Sequence, residues 1–199
     1  MEALEELKSI LLQKSVCEGE FTLVSGITSN FYVDSKLTTL SPRSAILIGE
    51  VGWKMVEEFA TQFALELDSI GGLTLGADPI ALSISMQSYR KNPAKALETI
   101  AVRKNAKAHG RNKLIEGNFG EGDSVVVVDD VITTGGSTLQ AIDAIEKAGG
   151  KVAFVLVLVD REEGGREAIE SKGHKVLSIF TRSELEERPD NRELSEAAC

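Results

Sequence analysis

The chain has 199 residues, of which 42% are hydrophobic, enough to bury the core of one globular domain. Its formal net charge is −9, and so acidic a surface repels polyphosphate backbones, which argues against nucleic acid as a partner. No stretch approaches the roughly 18 apolar residues that span a bilayer. Residues 1–15 are acidic and hold no apolar run of signal-peptide length, so we predict a cytoplasmic protein that does not bind membranes.

The first part of the chain predicts a helix, then short strands, then a second helix. Four apolar residues near the start are spaced as on one helical face: Leu4, Leu7, Ile10 and Leu11. Residues 19–40 are rich in Thr, Phe, Tyr and Val and are interrupted by Gly26, which predicts short strands and turns. Ser41 and Pro42 are typical of a helix start, and that helix should reach about Leu65.

From residue 67 onward, strands and helices alternate. Apolar or β-branched runs predict strands over 67–73, 97–103, 124–129, 152–159 and 174–180. The patterns between them predict helices over about 79–90, 136–148 and 163–172, and a long basic loop over 104–120 in which a hairpin is one option. This alternation indicates an α/β fold with a central, mostly parallel sheet flanked by helices.

The most informative segment is VVVVDDVITTGGST, residues 125–138. A buried strand ends at Asp129 and Asp130, and small hydroxyl and glycine residues then lead into a helix. In open parallel sheets, ligands lie beyond the carboxyl ends of the strands. A small-residue loop at a helix N-terminus offers backbone N–H groups and a favourable dipole to a phosphate. The candidate phosphate-binding residues are Thr133, Thr134, Gly135, Gly136 and Ser137, with Thr138 as a further hydroxyl donor.

The acidic pair points to a sugar rather than to the phosphate. Carboxylates would repel a phosphate, but they accept hydrogen bonds from vicinal hydroxyls and stabilise positive charge on a sugar ring. The segment is not a P-loop or a dinucleotide fingerprint, because it has neither Gly-Lys-Ser/Thr nor G-x-G-x-x-G. The alternative is a strand with a Gly/Thr-rich turn and solvated acids, and the length of the motif favours the functional interpretation.

Residues 127–138 resemble the motif with which type I phosphoribosyltransferases bind phosphoribosyl pyrophosphate (PRPP). The resemblance implies that Asp129 and Asp130 contact the ribose hydroxyls, and that Thr133 to Ser137 hold the 5′-phosphate. It also implies the type I fold as a single domain over 1–199. That domain would comprise a small N-terminal hood over about 1–40, a PRPP-binding core over about 41–182 and a polar tail over 183–199.

Two further segments resemble the orotate phosphoribosyltransferases. GEFTLVSGITSNFYVD, residues 19–34, is similar to their N-terminal signature, which implies that Phe31 and Tyr32 contact the base. The alternative is an ordinary hairpin with a core aromatic pair. RKNAKAHG, residues 103–110, is similar to their mobile catalytic loop, which closes over pyrophosphate in the neighbouring subunit's site. The implied pyrophosphate-stabilising residues are Arg103, Lys104, Lys107 and His109, and the alternative is a solvated basic loop.

The chain resembles the orotate phosphoribosyltransferases at two further positions, more weakly, and departs from their pattern at two others. Residues 72–81 align with the family's pyrophosphate loop, and Arg161 matches a position where an arginine meets the orotate carboxylate. A surface arginine at a strand end is the alternative for Arg161. Val24 and Gly76 stand where many family members carry lysine. These departures bear on pyrophosphate affinity more than on the type of reaction.

The resemblance implies transfer of the phosphoribosyl group of PRPP to orotate, giving orotidine 5′-monophosphate and pyrophosphate in de novo pyrimidine synthesis. It implies Mg²⁺ as cofactor, held mainly by substrate and water and not by protein ligands, and a homodimer with shared active sites. One alternative is a phosphoribosyltransferase for another base. The other is a non-enzymatic PRPP-sensing regulator, which would need a basic surface or an added nucleic-acid-binding domain that this acidic chain does not offer.

Overall fold

The protein's structure, a computed structural model, describes residues 1–22, 28–105 and 114–187, with the backbone only for 18–22 and 28–30. These residues form eight strands: β1 (Val16–Thr22), β2 (Thr28–Val33), β3 (Ser69–Leu73), β4 (Glu98–Val102), β5 (Ile115–Gly117), β6 (Ser124–Ile132), β7 (Lys151–Asp160) and β8 (Val176–Thr181). They also form seven α-helices: α1 (Glu2–Lys14), α2 (Lys36–Thr39), α3 (Pro42–Gln62), α4 (Ala77–Lys91), α5 (Gly136–Lys147), α6 (Gly165–Glu170) and α7 (Arg182–Glu186).

Six strands form the central sheet, in the order β5-β4-β3-β6-β7-β8. The four pairs from β4 to β8 are parallel, and only the edge strand β5 runs antiparallel to its neighbour β4. Helices α4, α5 and α6 join β3 to β4, β6 to β7 and β7 to β8, as is usual for parallel neighbours in a sheet. The predicted α/β fold with a central, mostly parallel sheet is therefore confirmed.

The central strands are buried on both faces, as their β-branched sequences predict. On β6, Val126 and Val128 join one apolar cluster with residues of α1, α3 and α4. Val125 and Val127 point the other way, into a second cluster with residues of α5 and α6. The helices therefore cover both faces of the sheet and leave its ends for a ligand.

Strand β6 is longer than the sequence predicts. We expected it to end at Asp129, but it continues to Ile132 because it stays paired with β7 as far as Asp160. Its other neighbour, β3, pairs with it only up to Val127. The acidic pair therefore lies inside a strand, beyond the part that is hydrogen-bonded on both edges.

Two other segments also differ from expectation. The predicted loop over 104–120 contains β5, which pairs with β4 and so realises the hairpin option. Residues 106–113 lie outside the described residues. The short helix α2 follows β2 in a segment for which we expected only strands and turns, and it begins where the Thr39 N–H donates to the Ser35 carbonyl.

The N-terminal segment forms a unit of its own beside the central sheet. Strands β1 and β2 make a separate two-stranded antiparallel sheet. Phe31 and Val33 of β2 pack in the same apolar cluster as Leu7 and Leu11 of α1. This two-stranded sheet lies within the segment predicted as the hood. The role of that segment over the base, its boundary near residue 40 and the division into core and tail stay predictions.

Within the described residues, no helix is both long enough and apolar enough to cross a lipid bilayer.

Candidate active site

The two carboxylates of the acidic pair are held by hydroxyl groups from different elements. The Thr138 hydroxyl, in the first turn of α5, donates to Asp129 Oδ2 at 2.7 Å. The Ser35 hydroxyl, in the turn before α2, donates to Asp130 Oδ2. Each remaining carboxylate oxygen accepts a backbone N–H, from Asp130 and Val131 respectively, at 3.0 Å. Both side chains are therefore fixed in orientation before any ligand binds.

The two carboxylates differ in their electrostatic environment. Asp129 is only 5% exposed, whereas Asp130 is half-buried. Burial raises the pKa of Asp129 to about 7, the hydrogen bond from Thr138 opposes this rise, and the nearby Asp130 charge adds to it. Asp129 therefore changes charge near neutral pH.

The turn between β3 and α4 lies against Asp130. It contains a cis peptide bond between Thr74 and Leu75, and Gly76 follows. A β-carbon at Gly76 would lie 2.6 Å from Cγ of Asp130, too close for any side chain unless the carboxylate moved. The position where many family members carry lysine is therefore packed directly against the acidic pair. The sequence alone did not reveal this contact.

The small-residue loop wraps around the start of α5. Gly135 has φ 80°, in the left-handed region that glycine tolerates, and α5 begins at Gly136. Thr133 is half-buried, and Thr134, Gly136 and Ser137 are exposed at this helix N-terminus. A helix N-terminus with exposed small residues suits an anion, and their binding of the 5′-phosphate stays a prediction.

Thr138 is the one hydroxyl of this segment that does not fit the predicted phosphate role. It is buried, and its hydroxyl donates to Asp129.

The small-residue loop packs closely against the start of α6. A β-carbon at Gly165 would lie 2.5 Å from the Thr133 carbonyl oxygen. The absence of a side chain at Gly165 is thus what lets the two segments approach.

Arg161 lies beside the hood, with Phe31 as its neighbour. Its guanidinium carbon is 5.9 Å from the centre of the Phe31 ring, and Arg182 stands 5.2 Å from the same ring. Arg161 is only 3% exposed and donates to Glu163 Oε1 at 2.6 Å. The surface-arginine alternative is therefore wrong, because a surface side chain would not be so deeply buried.

Phe31 and Tyr32 point to opposite sides of β2, as consecutive strand residues do. Phe31 is buried in the core cluster beside Arg161, while Tyr32 is 39% exposed. Their predicted contact with a base stays a prediction, and the buried Phe31 is the one that the structure places next to the arginine.

A buried ion pair supports the turn that carries Arg161. Asp160 is buried, and Arg166 donates to its Oδ2 at 2.8 Å and to the Val176 carbonyl at 2.6 Å. The other oxygen of Asp160 accepts the Glu162 N–H at 2.9 Å. Since these bonds link β7, α6 and β8, the direction in which the chain leaves β7 is fixed.

The basic loop is described only at its base. A cleft of about 460 Å³ is lined by Thr74, Arg103, Lys104, Asn105 and Glu116. In it, Arg103 is half-buried and Lys104 is exposed, next to the turn that precedes α4. The predicted residues Lys107 and His109, together with the departure at Val24, lie outside the described residues.

Comparison with known proteins agrees with this geometry. The family model described as "Phosphoribosyl transferase domain" matches residues 84–181, which include the acidic pair, the small-residue loop and Arg161. The orotate phosphoribosyltransferase of Aquifex aeolicus is 43% identical over 185 residues, which cover 91% of this chain and 96% of the relative. That of Mycobacterium avium is 40% identical over 182 residues, which cover 92% and 96%.

Solved structures lead to the same group. The crystal structure of Mycobacterium tuberculosis orotate phosphoribosyltransferase in complex with Fe(III) dicitrate aligns with a TM-score of 0.76 at 38% identity, covering 92% of this chain and 98% of that one. The same enzyme in complex with PRPP aligns with a TM-score of 0.73 at 34% identity, covering 93% and 99%. The chain belongs to the orotate phosphoribosyltransferase family.

Proposed function

We propose that this protein transfers the phosphoribosyl group of PRPP to orotate, giving orotidine 5′-monophosphate and pyrophosphate in de novo pyrimidine synthesis. The observation that carries the proposal is the acidic pair, held by Ser35 and Thr138 directly before the small-residue loop. Relatives at about 40% identity over nine-tenths of the chain are named for this activity. One relative has been crystallised with PRPP.

To catalyse this reaction, the protein must stabilise a cationic sugar and an anionic leaving group. The bond from orotate N1 to ribose C1 forms as the bond from C1 to pyrophosphate oxygen breaks. The electron pair leaves with the pyrophosphate, and the N1 proton of orotate passes to a pyrophosphate oxygen or to water. Because the leaving pyrophosphate is itself a base, no strong base from the protein is required. Asp129 and Asp130 accept the ribose hydroxyls and stabilise the oxocarbenium-like sugar. Thr133, Thr134, Gly135, Gly136 and Ser137 hold the 5′-phosphate.

The leaving group needs positive charge, which the basic loop can supply. Arg103 and Lys104 line the cleft beside the turn before α4, and in our proposal they act on the pyrophosphate together with Lys107 and His109. In our proposal Arg161 exchanges its ion pair with Glu163 for one with the orotate carboxylate, since a planar guanidinium matches a planar carboxylate. In this arrangement Phe31 packs beside the guanidinium and limits its rotation.

The donor groups of the site suit Mg²⁺ bound mainly through substrate oxygens and water. The acidic pair supplies only two carboxylates, which are too few for an all-protein cage. When bound, the ion would neutralise charge on the departing pyrophosphate.

We propose a homodimer in which each active site receives the basic loop of its partner. On α4, Leu82, Met86 and Tyr89 lie three or four residues apart, and each side chain is more than half exposed. Such an apolar stripe favours an interface with another chain. The close cations of the basic loop also gain little from their own subunit unless they meet a polyanion.

The shared site has a direct test. Lys107→Ala and the double variant Asp129→Asn/Asp130→Asn should each be nearly inactive. When the two are mixed and re-equilibrated, about half the dimers are hybrids with one intact site, so roughly a quarter of wild-type activity should return. Native mass spectrometry measures the subunit exchange. Proven exchange without recovery would mean that the loop serves its own subunit.

The choice of base is tested by a substrate screen. Purified protein with PRPP and Mg²⁺ is offered orotate, uracil, hypoxanthine or adenine, and nucleotide formation is followed by chromatography. We expect orotate alone to react, because the other bases lack the carboxylate that Arg161 would bind. Preferred use of another base would mean that the protein is a phosphoribosyltransferase for that base. Binding of PRPP with no turnover of any base would favour a non-enzymatic PRPP-sensing regulator.

We also propose a cytoplasmic location. PRPP is a polyanion that does not cross a hydrocarbon layer unaided, so an enzyme that consumes it works in the compartment where it is made.

A further inference from the structure

Thr138 is a buried hydroxyl residue at the active site that binds no phosphate in our scheme. It is 1% exposed, and its hydroxyl donates to Asp129 Oδ2 across the gap between α5 and β6 at 2.7 Å. We propose that Thr138 is a positioning residue that holds the Asp129 carboxylate toward the ribose site and favours its charged form. This inference rests on the ribose-binding role proposed for Asp129.

The geometry leaves Thr138 little freedom to do anything else. Its β-branched side chain is stiff at χ1, and it sits one turn before Ala141 and Ile142, which are buried in the cluster against β6 and β7. The packing of α5 therefore fixes the Thr138 hydroxyl beside Asp129 Oδ2. Asp129 Oδ1 is fixed by the Asp130 N–H at 3.0 Å, so Thr138 completes a two-point hold on the carboxylate.

Two hydrogen bonds favour the charged form of Asp129, and the one from the Thr138 hydroxyl has the larger effect; the other comes from the Asp130 N–H. The adjacent carboxylate, Asp130, repels it, and Val157 is the residue opposite on β7. The first turn of α5 contains no acidic or basic side chain. Among the described residues, Asp130 is the one charged group that acts on Asp129, and burial already raises the pKa of Asp129 to about 7.

A neutral hydroxyl that donates to a carboxylate stabilises the ionised form and lowers its pKa. Removing the hydroxyl should therefore raise the pKa of Asp129 further, by roughly one to two pH units for a hydrogen bond to a buried charge. The enzyme would then need a higher pH to reach full activity. A residue with a merely structural role would lower stability without moving the pH profile.

The experiment compares four proteins: the wild type, Thr138→Val, Thr138→Ser and Thr99→Val. Valine has the shape of threonine without the hydroxyl, and serine keeps the hydroxyl. Thr99, in β4, carries a buried hydroxyl for which the described residues provide no hydrogen-bond partner, so Thr99→Val is a matched control. The measured quantity is kcat/KM for PRPP between pH 5.5 and 9.5, with orotate as acceptor. Titration of the substrates is common to all four proteins and cancels in the comparison.

We expect the acid limb of Thr138→Val to move upward by about one pH unit or more, and activity to approach the wild-type value near the alkaline end. Thr138→Ser and Thr99→Val should follow the wild-type profile. Carbon-13 NMR of the Asp129 carboxyl, assigned with Asp129→Asn, measures the same pKa without turnover and serves if Thr138→Val is too inactive to assay.

The inference about Thr138 would be overturned if the pH profiles of Thr138→Val and the wild type coincided, or if the pKa of the Asp129 carboxyl were the same in both proteins. The proposed reaction would remain intact in either case. A wild-type protein that turns over no orotate would instead overturn the proposed function. The NMR titration would still decide whether Thr138 sets the charge of Asp129.

Discussion

Replacing Asp129 by asparagine should abolish activity and make the folded protein more stable at alkaline pH. The pKa of Asp129 is about 7 in the folded protein, against an ordinary value of 3.8, because burial disfavours its charge. At about 1.36 kcal/mol per pH unit, keeping this group ionised costs the folded state about 4 kcal/mol above pH 7. The asparagine amide is neutral and removes that cost.

Part of the gain is lost to hydrogen bonding. The amide oxygen of asparagine can still accept the Thr138 hydroxyl, but its nitrogen would face the Asp130 N–H, so one bond worth about 1 kcal/mol is lost. We therefore expect the free energy of unfolding of Asp129→Asn at pH 8 to exceed that of the wild type by about 2–3 kcal/mol. The difference should shrink as the pH falls from about 7 toward 4, because the wild-type carboxyl becomes protonated in the folded state and then in the unfolded state.

Urea unfolding at pH 8, 6 and 4.5 measures the difference, with orotate turnover recorded on the same samples. Asp143→Asn is the matched control, since Asp143 is an exposed acid on α5 that pairs with Lys147 and should change stability by less than about 1 kcal/mol at any pH. A variant no more stable than the wild type at pH 8, or a difference independent of pH, would refute the assignment of a buried charge to Asp129.

Three further substitutions test other parts of the site. Gly76→Ala should displace the Asp130 carboxylate and raise the KM for PRPP several-fold, with little change in urea midpoint; an unchanged KM would show that Asp130 can move freely. Arg161→Ala should raise the KM for orotate far more than that for PRPP, and Arg161→Lys should restore only part of the affinity. If the KM for PRPP moves instead, the base lies elsewhere. Arg166→Met leaves the buried Asp160 without its ion pair and should lower the free energy of unfolding by about 3 kcal/mol, as urea denaturation would measure; a loss below 1 kcal/mol would contradict a buried pair.

The parts of the structure that follow from local pattern were predictable. The valine-rich runs of β6 and β7 could only be strands buried on both faces, and helix α5 ends before Gly149, whose φ of 90° suits the predicted glycine cap. The small-residue loop follows from its position between a strand and a helix. In these cases a few neighbouring residues determine the local conformation.

What the sequence did not reveal are contacts between distant segments. Ser35 lies 95 positions before Asp130 in the sequence, and no local pattern predicts that its hydroxyl donates to that carboxylate. Thr138 looked like one more phosphate donor because its burial depends on how α5 packs against β6. Gly76 looked like a missing lysine, whereas in the fold its lack of a side chain makes room for Asp130.

The central claim is tested most directly by identifying the product formed from orotate and PRPP. Purified protein with both substrates and Mg²⁺ should consume orotate, followed by its ultraviolet absorbance, and yield orotidine 5′-monophosphate and pyrophosphate in equal amounts by mass spectrometry. Asp129→Asn/Asp130→Asn should be folded by circular dichroism and slower by several orders of magnitude. Absence of that product from the wild-type protein, or its formation at an undiminished rate by the double variant, would contradict the account.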